Sequence, residues 1–469
     1  AAAWRWPVVA AALFVAVFGV FHGHAHGAET PASAQGLAYG AGFLLATAAL
    51  HAGGVALGLV TKAGPALRLA GVGVANWSGI ELTGDFDRLS RLVNLLMAHE
   101  IKVFQNGNAF WVPMKQPKAR LIQAMFERRT EFTDNQFYDI SAWSLDLAFD
   151  VRAEFRTDTS GREDFRPVGS SIPAAKIMSP PVDFDDIYVY TAPWGREGSA
   201  AFLQEVLAAG AHAYMIRTPP KGANLALGTL VIPTESPIGA RLEDVVREAS
   251  VRHKVPTTRV NRGDHGILSL GGNATSFIPA PRVALIAGAG SDVNNTGELW
   301  QLMDRHWGIP VSLIDGATAG DLDRYNTIVM AGGRYPASLA EPLTAWISRG
   351  GRLVASASAV DWVSSSGIWT LESRSYSPKL GGLSYGELTE ERGRHALPGA
   401  IFQAEFDSSH PMAFGLPRTL PVFREGNTFY APPATPGATV ARYAENPMLA
   451  GYMSKEVAGT VQRAACVLA

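Results

Sequence analysis

The first 75 residues of the chain are almost free of charge, and this feature constrains the fold more than any other. They contain four charged side chains, whereas the whole chain has 42 acidic and 40 basic residues. Residues 7–21 and 36–61 form uncharged apolar runs, and about 20 apolar residues cross the hydrocarbon core of a bilayer. The sequence therefore predicts two transmembrane helices, with the lipid bilayer as the partner of residues 4–61, ahead of a water-exposed remainder.

A secretory signal peptide is the alternative explanation for the first run, because Arg5 precedes it and small residues follow it. The second run favours a pair of spans. Arg5 lies before the first span, and Lys62 and Arg68 follow the second. The positive-inside rule then predicts that both flanks are cytoplasmic and that the loop between the spans lies outside.

Histidines cluster between and within the two apolar runs. His22, His24, His26 and Glu29 lie in the connecting loop, and His51 lies inside the second run. Imidazoles are good ligands for Ni, Zn and Cu, and a histidine within a membrane segment is costly enough to mark a functional position. We predict that these five residues contact a metal ion. The alternative is that the histidines are solvated or interfacial.

The sequence FHGHAHGAE at residues 21–29, followed by LLATAALHAGG at 44–54, closely resembles the hydrogenase/urease accessory nickel permease family. The resemblance covers residues 4–75. It implies a membrane protein that moves nickel or cobalt, with the loop histidines near the ion path. Earlier spans of that family do not precede the motif here, and the chain opens without Met and stops after an apolar run. We therefore expect a fragment that does not transport the ion alone.

From residue 76 onward, short β-like runs alternate with helix-period segments. This alternation is typical of βαβ units and parallel sheets, and three segments share it. The clearest has strands at 282–290, 310–315, 327–333 and 351–358. We predict an α/β fold of repeated βαβ units, in which this last segment is a flavodoxin-like or class I glutamine amidotransferase-like domain.

Loops dense in Pro and Gly at 166–182 and 261–281 are the expected domain boundaries. The tail from residue 365 is expected to be a partly β subdomain that completes the third unit. The predicted domains are a membrane segment with two helices (1–75), a first α/β unit (76–165), a second α/β unit (182–260), and an amidotransferase-like domain with a loop-rich C-terminal extension (281–469).

Composition and motifs exclude several kinds of chemistry. A net charge of −2 gives no general electrostatic case for nucleic acid as a partner. The single cysteine, Cys466, excludes an internal disulfide framework and a Cys-based zinc cluster. An amidotransferase needs a nucleophilic cysteine on a sharp strand-to-helix turn, and the stretch after the third unit's central strand, 329–335, contains none. We predict no catalytic residues.

Gly288, Gly290 and Ser291 follow a predicted strand and precede a predicted helix. Backbone N–H groups in such a loop can bind a phosphate or carboxylate, so these three residues are the predicted cofactor-binding positions. A tight turn between strand and helix would require the same glycines. A second hypothesis is that the part of the chain from residue 76 onward is an enzyme, which acts through this loop together with Asp264 and His265.

Several stretches resemble the region that follows the peptidase domain in large bacterial zinc carboxypeptidase-like proteins of the carboxypeptidase A class. They include LVNLLMAHEIKVFQ at 92–105, NQFYDISAWSLDLAF at 135–149 and VALIAGAG at 283–290. The resemblance implies that zinc chemistry belongs to a peptidase domain outside this sequence. It also implies a periplasmic or secreted location for residues 76–469.

We therefore predict a non-catalytic accessory region, which supports a peptidase domain, joined near Ala75 and Asn76 to a partial permease-like segment. Two alternatives stay open for the whole chain. One is a metallocarboxypeptidase family member without its peptidase domain, and the other is a nickel or cobalt membrane transport protein. A natural and an accidental or engineered fusion are both compatible with the sequence.

Overall fold

The computed structural model describes residues 77–132, 140–169, 187–219, 225–261, 274–317 and 320–469. They belong to one compact unit, Asn76–Ala469. Within these ranges, no helix combines the length and the apolar character needed to cross a membrane. The two predicted spans lie outside the described residues. So do Asp264, His265 and the predicted metal ligands His22, His24, His26, Glu29 and His51.

The first sheet has five strands in the order β4-β1-β3-β2-β5, and all its neighbours are antiparallel. Helix α1 buries its apolar face on this sheet through Leu89, Leu92, Val93 and Leu96. The elements are β1 Gly79–Thr83, α1 Phe86–Ala98, β2 Phe104–Asn106, β3 Ala109–Pro113, α2 Ala119–Phe126, α3 Leu145–Ala148, β4 Arg152–Arg156 and β5 Arg166–Pro167.

The second sheet also has five antiparallel strands, in the order β10-β7-β8-β6-β9. Helices α4 and α5 pack on it around Phe202, Val206 and Val246. The elements are β6 Ile187–Ala192, α4 Ser199–Ala208, β7 Tyr214–Ile216, β8 Leu230–Pro233, α5 Arg241–His253, β9 Thr258–Asn261 and β10 Thr275–Phe277.

These two sheets have the same topology, so we name residues 77–168 the first repeat and 187–278 the second repeat. In each repeat a strand, a helix and a second strand are followed by a third strand that inserts between the first two and runs antiparallel to both. The expectation of parallel sheets is therefore wrong for both segments. In the first repeat β2 and β3 are joined by a two-residue turn at Gly107, which is too short for a parallel crossover.

The third sheet is parallel throughout, with the order β12-β11-β13-β14. Helices α7 and α8 cover one face, and α6 with the π-helical turn that follows it covers the other. The elements are β11 Val283–Ala287, α6 Val293–Trp300, the π-helical turn Gln301–His306, β12 Val311–Asp315, β13 Thr327–Met330, α7 Ala340–Ser348, β14 Arg352–Ala355 and α8 Ala359–Ser365.

The C-terminal part forms a sheet of its own, whereas the sequence predicted a partly β, loop-rich subdomain that completes the third unit. Its six strands are antiparallel, in the order β15-β18-β20-β19-β16-β17. A separate core around Phe402, Phe429 and Tyr443 supports it. The elements are β15 Ser373–Arg374, α9 Tyr385–His395, β16 Ala400–Phe406, β17 Thr419–Arg424, β18 Phe429–Tyr430, β19 Thr439–Gly451, α10 Lys455–Val461 and β20 Ala465–Leu468.

Candidate functional site

The predicted cofactor loop lies at the carboxyl end of β11. The N–H of Ser291 donates to the carbonyl oxygen of Gly288 at 3.1 Å, and the Ser291 hydroxyl donates to the same oxygen at 2.9 Å. The N–H of Asp292 donates to the carbonyl oxygen of Gly332 at 2.7 Å. The N–H groups of Ser291 and Asp292, which would face an anion bound to such a loop, are therefore used within the chain.

This loop meets the loop after β13 at the point where the strand order of the parallel sheet reverses. Ligands of open α/β sheets bind in the crevice at such a switch point. Here the backbone fills it, because the N–H of Arg334 donates to the carbonyl oxygen of Gly290 at 2.7 Å. Gly290 has a φ of 88°, and a Cβ there would collide with the Arg334 carbonyl oxygen. Close approach of the two loops thus explains this glycine, and the cofactor-binding role stays a prediction.

A strained residue marks a neighbouring turn at the same edge of the sheet. Ala357 lies between β14 and α8 with a φ of 49°, a conformation that is uncommon for residues other than glycine. A strained turn between a strand and a helix is where a nucleophile elbow presents its side chain. Alanine presents no nucleophile in this position.

The serines on either side of Ala357 do not replace the missing nucleophile. The Ser358 hydroxyl oxygen accepts from the Gly333 N–H at 2.9 Å, and the Ser356 hydroxyl donates to the Met330 carbonyl oxygen at 3.4 Å. Among the described residues, neither serine is bonded to a histidine or a carboxylate. From the sequence, a nucleophile was expected in residues 329–335, after β13. The strained turn at Ala357 could not be anticipated, because the positive φ of an alanine leaves no mark in a sequence.

A second cluster of polar side chains lies where the two repeats meet, and the sequence analysis missed it. The loop after β6 supplies Glu197, whose carboxylate is ion-paired with Arg91 of α1. The same carboxylate lies 3.2 Å from Nε2 of His306, at the end of the π-helical turn. Next to Glu197, Arg196 lies 3.4 Å from the carboxylate of Asp85. Corresponding strand-to-helix loops of the two repeats are therefore joined by charged side chains.

A cavity of about 660 Å³ opens on one side of this junction, within the volume range of small-molecule pockets. Asp85, Arg88, Asp150 and Glu197 line it together with apolar residues that include Leu416. Arg88 is ion-paired with Asp150. Every carboxylate in this lining thus has an arginine partner, and the cavity has no unbalanced charge with which to select a ligand.

A smaller cavity of about 230 Å³ lies on the other side of Glu197. Its lining comes from α1, from the start of α4, from the end of α5 and from the end of the π-helical turn, which are helical elements packed on three of the four sheets. The lining residues are Asp87, Ser90, Arg91, Asn94, Glu197, Gly198, Ala201, Arg252, His253, Lys254, His306 and Trp307.

Trp143 and Asp146 lie close in the sequence, but their side chains have different surroundings in the structure. The side chain of Trp143 is 58% exposed, whereas that of Asp146 is buried. Asp146 accepts from Nε of Arg128 at 3.0 Å. Burial raises the pKa of the Asp146 carboxyl, and the Arg128 guanidinium opposes that shift. Asp146 therefore contributes to packing, and the two side chains do not form a shared platform.

Comparison with known proteins finds a family similarity in the N-terminal segment. Residues 1–82 match the family described as HupE / UreJ protein, which supports the membrane location predicted there and agrees with the resemblance expected over residues 4–75. Among curated proteins, the chain is similar to Protein HupE of Rhizobium leguminosarum bv. viciae, with 43% identity over 72 residues. That alignment covers 15% of this chain and 38% of the relative.

No solved structure matches the chain. The family match lies in residues 1–82, and neither sequence match supports a zinc carboxypeptidase-like or amidotransferase-like origin of residues 76–469. Those two resemblances stay predictions. The chain spans less than half of its curated relative, so the activity of a whole HupE protein is not assigned to it here.

Proposed function

We propose that the N-terminal segment binds nickel or cobalt at a membrane, and that residues 77–469 are a non-catalytic accessory region attached to it. The match of residues 1–82 to the HupE / UreJ family carries the first part of the proposal. In this proposal the metal ion is a substrate that the segment binds, and it is not a cofactor of the protein. This function corresponds to the transport-protein alternative of the sequence analysis, limited to the binding step.

The proposed ligands are the imidazoles of His22, His24 and His26, with Glu29 and His51 nearby in the sequence. Neutral imidazole nitrogen is a preferred ligand for Ni²⁺. Because a protonated imidazole cannot bind a metal, the affinity should fall as the pH is lowered through the histidine range.

The structure at the carboxyl ends of the parallel strands supports the second part of the proposal, that residues 77–469 are a non-catalytic accessory region. The crevice at the switch point is filled by backbone hydrogen bonds between the loops at Gly290 and Arg334. The strained strand-to-helix turn contains Ala357, which has no reactive side chain. Both observations agree with a region that binds or positions a partner and performs no covalent chemistry. Support of a peptidase domain stays a prediction for the same region.

Equilibrium dialysis of the full chain with Ni²⁺ tests the metal part. Replacing His22, His24 and His26 by alanine together should weaken binding at least tenfold, since three ligands are lost. The matched control replaces three histidines of the described region, His99, His212 and His410, by alanine and should bind as the wild type does. Equal uptake by the wild type and the loop variant would contradict the proposal.

A further inference from the structure

The parallel sheet ends on one side in β12, a strand that lacks a neighbour on its outer side. Strand β12 pairs with β11 from Val311 to Asp315 in regular parallel register. Among the described residues, no other strand pairs with it. The outer N–H and C=O groups of such an edge strand can pair with a further strand, and native proteins usually prevent this with short strands, charged side chains or proline.

The other sheet edges of the described residues each have at least one of these features. Charged side chains lie in β4, β9 and β14, prolines lie in β5 and β17, and β10 and β15 contain only three and two residues. The residues concerned are Arg152, Glu154, Arg156, Arg259, Arg352, Pro167 and Pro421. Strand β12, with the sequence Val-Ser-Leu-Ile-Asp, has five residues and a charge only at its end, Asp315. It is therefore the edge with the least protection against pairing.

The middle of β12 is exposed on both faces of the sheet. Leu313 continues the row of Leu285 and Val329, which packs against α6 and the π-helical turn, yet Leu313 itself is 56% exposed. Ser312, which faces the opposite side because side chains alternate along a strand, is exposed as well. In β14, at the other edge, Leu353 packs against the core under α8. The helices that cover the sheet therefore leave β12 accessible.

We propose that β12 is a dimer interface, at which a second copy of this chain adds its own β12 in antiparallel orientation. The two-fold axis passes through Leu313, so that the Leu313 side chains of the two copies lie next to each other. The apolar row of Leu285 and Leu313 then continues into the same row of the second copy, and one sheet spans both copies. This proposal does not depend on the metal function proposed for the N-terminal segment.

The charge pattern of β12 favours a second copy in this orientation. In the antiparallel pair, Val311 lies opposite Asp315 of the second copy, and Ser312 lies opposite Ile314. A parallel pair in register would instead place the two Asp315 carboxylates beside each other, and like charges directly opposite are destabilising. The strand is thus complementary to itself in the antiparallel pair, as a two-fold interface requires.

Analytical ultracentrifugation of the full chain in a mild detergent tests the proposal. The wild type should sediment as a dimer, and Leu313→Lys should be a monomer at the same concentration, because two ammonium groups would meet at the axis. The matched control is Val354→Lys, which changes a residue that is 49% exposed in the same row at the opposite edge of the sheet, and it should stay a dimer. Circular dichroism should show native secondary structure in both variants, since both side chains are already exposed. A monomeric wild type, or a Leu313→Lys variant that is still a dimer, would overturn the proposal.

Cysteine crosslinking tests the register independently of the lysine variants. Leu313→Cys is introduced into a chain whose single native cysteine, Cys466, is replaced by serine. Residues directly opposite each other in an antiparallel pair have Cα atoms about 4.5–5.5 Å apart, a separation that a disulfide can bridge. Oxidised glutathione should therefore give a covalent dimer with Leu313→Cys but not with the control Val354→Cys. No covalent dimer at position 313, or equal crosslinking at both positions, would contradict the proposed pairing.

Discussion

The two repeats share one strand order but begin their first helices in different ways. In the first repeat, the Asp85 carboxylate accepts from the N–H groups of Asp87 and Arg88, and so caps α1. In the second repeat, α4 begins at Gly198 without any side-chain cap. The loop before α4 instead directs Glu197 towards Arg91 and His306. One copy of the loop thus stabilises its own helix, and the other joins neighbouring parts of the molecule.

A second difference concerns buried charge. The first repeat contains the fully buried carboxylate of Asp146, whereas the buried polar residues described in the second repeat, such as Thr191, Ser199 and Ser250, are uncharged. The first repeat is also bonded to the C-terminal sheet, since the N–H of Ser141 donates to the Gly399 carbonyl oxygen at 3.1 Å. We therefore expect the loss of a single charged side chain to lower the free energy of unfolding more in the first repeat than in the second.

Arg128→Met is expected to have the largest effect on stability. It leaves the buried carboxylate of Asp146 without its partner. Breaking a fully buried pair costs about 3–5 kcal/mol, and because the Arg128 side chain is 39% exposed, the loss should fall at or below the lower end of that range. Urea unfolding measures the loss. The double variant Arg128→Met/Asp146→Leu should recover most of the stability, because no unpaired charge then stays buried. A loss below about 1 kcal/mol in the single variant would show that Asp146 is not a buried ion in the native protein.

Gly195→Ala, in the loop of the second repeat, should have the next largest effect. A Cβ at this position would lie 2.5 Å from the carbonyl oxygen of Gly415, and relief of such a backbone clash costs roughly 1–3 kcal/mol. Gly386→Ala in α9 is the control, since no atom lies within 4 Å of its added Cβ. Thermal unfolding should show a loss for the first variant and a small gain for the second. Equal transitions would refute the close contact between these loops.

Asp85→Ala should cost about 1 kcal/mol, because α1 loses its cap. Asp85→Asn should keep most of that stability, since the amide oxygen can still accept from the same N–H groups. Chemical denaturation distinguishes the two variants. Equal losses in Asp85→Ala and Asp85→Asn would instead assign the effect to the ion pair with Arg196, and would remove the contrast in capping between the repeats.

Glu197→Gln should change stability least, by less than about 1 kcal/mol, because ion pairs with partly exposed partners contribute little. The side chain of Arg91 is 54% exposed in this pair. Urea unfolding provides the measurement, and a loss well above about 1 kcal/mol would contradict this expectation.

The sequence indicated most of the elements of the parallel sheet, because its strands are short apolar runs separated by helices. The predicted runs 310–315 and 327–333 contain the whole of β12 and of β13. It did not indicate the strand that inserts antiparallel between the first two strands of each repeat, although Gly107-Asn108 is a two-residue hairpin signal. Strand periodicity specifies which residues are extended, whereas neighbours in a sheet depend on turns and long-range packing.

The candidate site was harder to predict for two physical reasons. The positive φ of Ala357 and Lys254 is imposed by the surrounding structure and has no signature in residue type. The contact of Glu197 with His306 joins residues 109 positions apart, and neither residue belongs to a recognisable sequence motif. The glycines at 288 and 290, by contrast, were visible in the sequence, but their packing partners were not.

X-ray absorption at the nickel edge of the loaded full chain tests directly whether the HupE-like segment binds nickel through its histidines. We expect imidazole nitrogen in the first coordination shell, and loss of that signature when His22, His24 and His26 are replaced by alanine together. A shell of oxygen ligands alone, unchanged by the triple replacement, would contradict it.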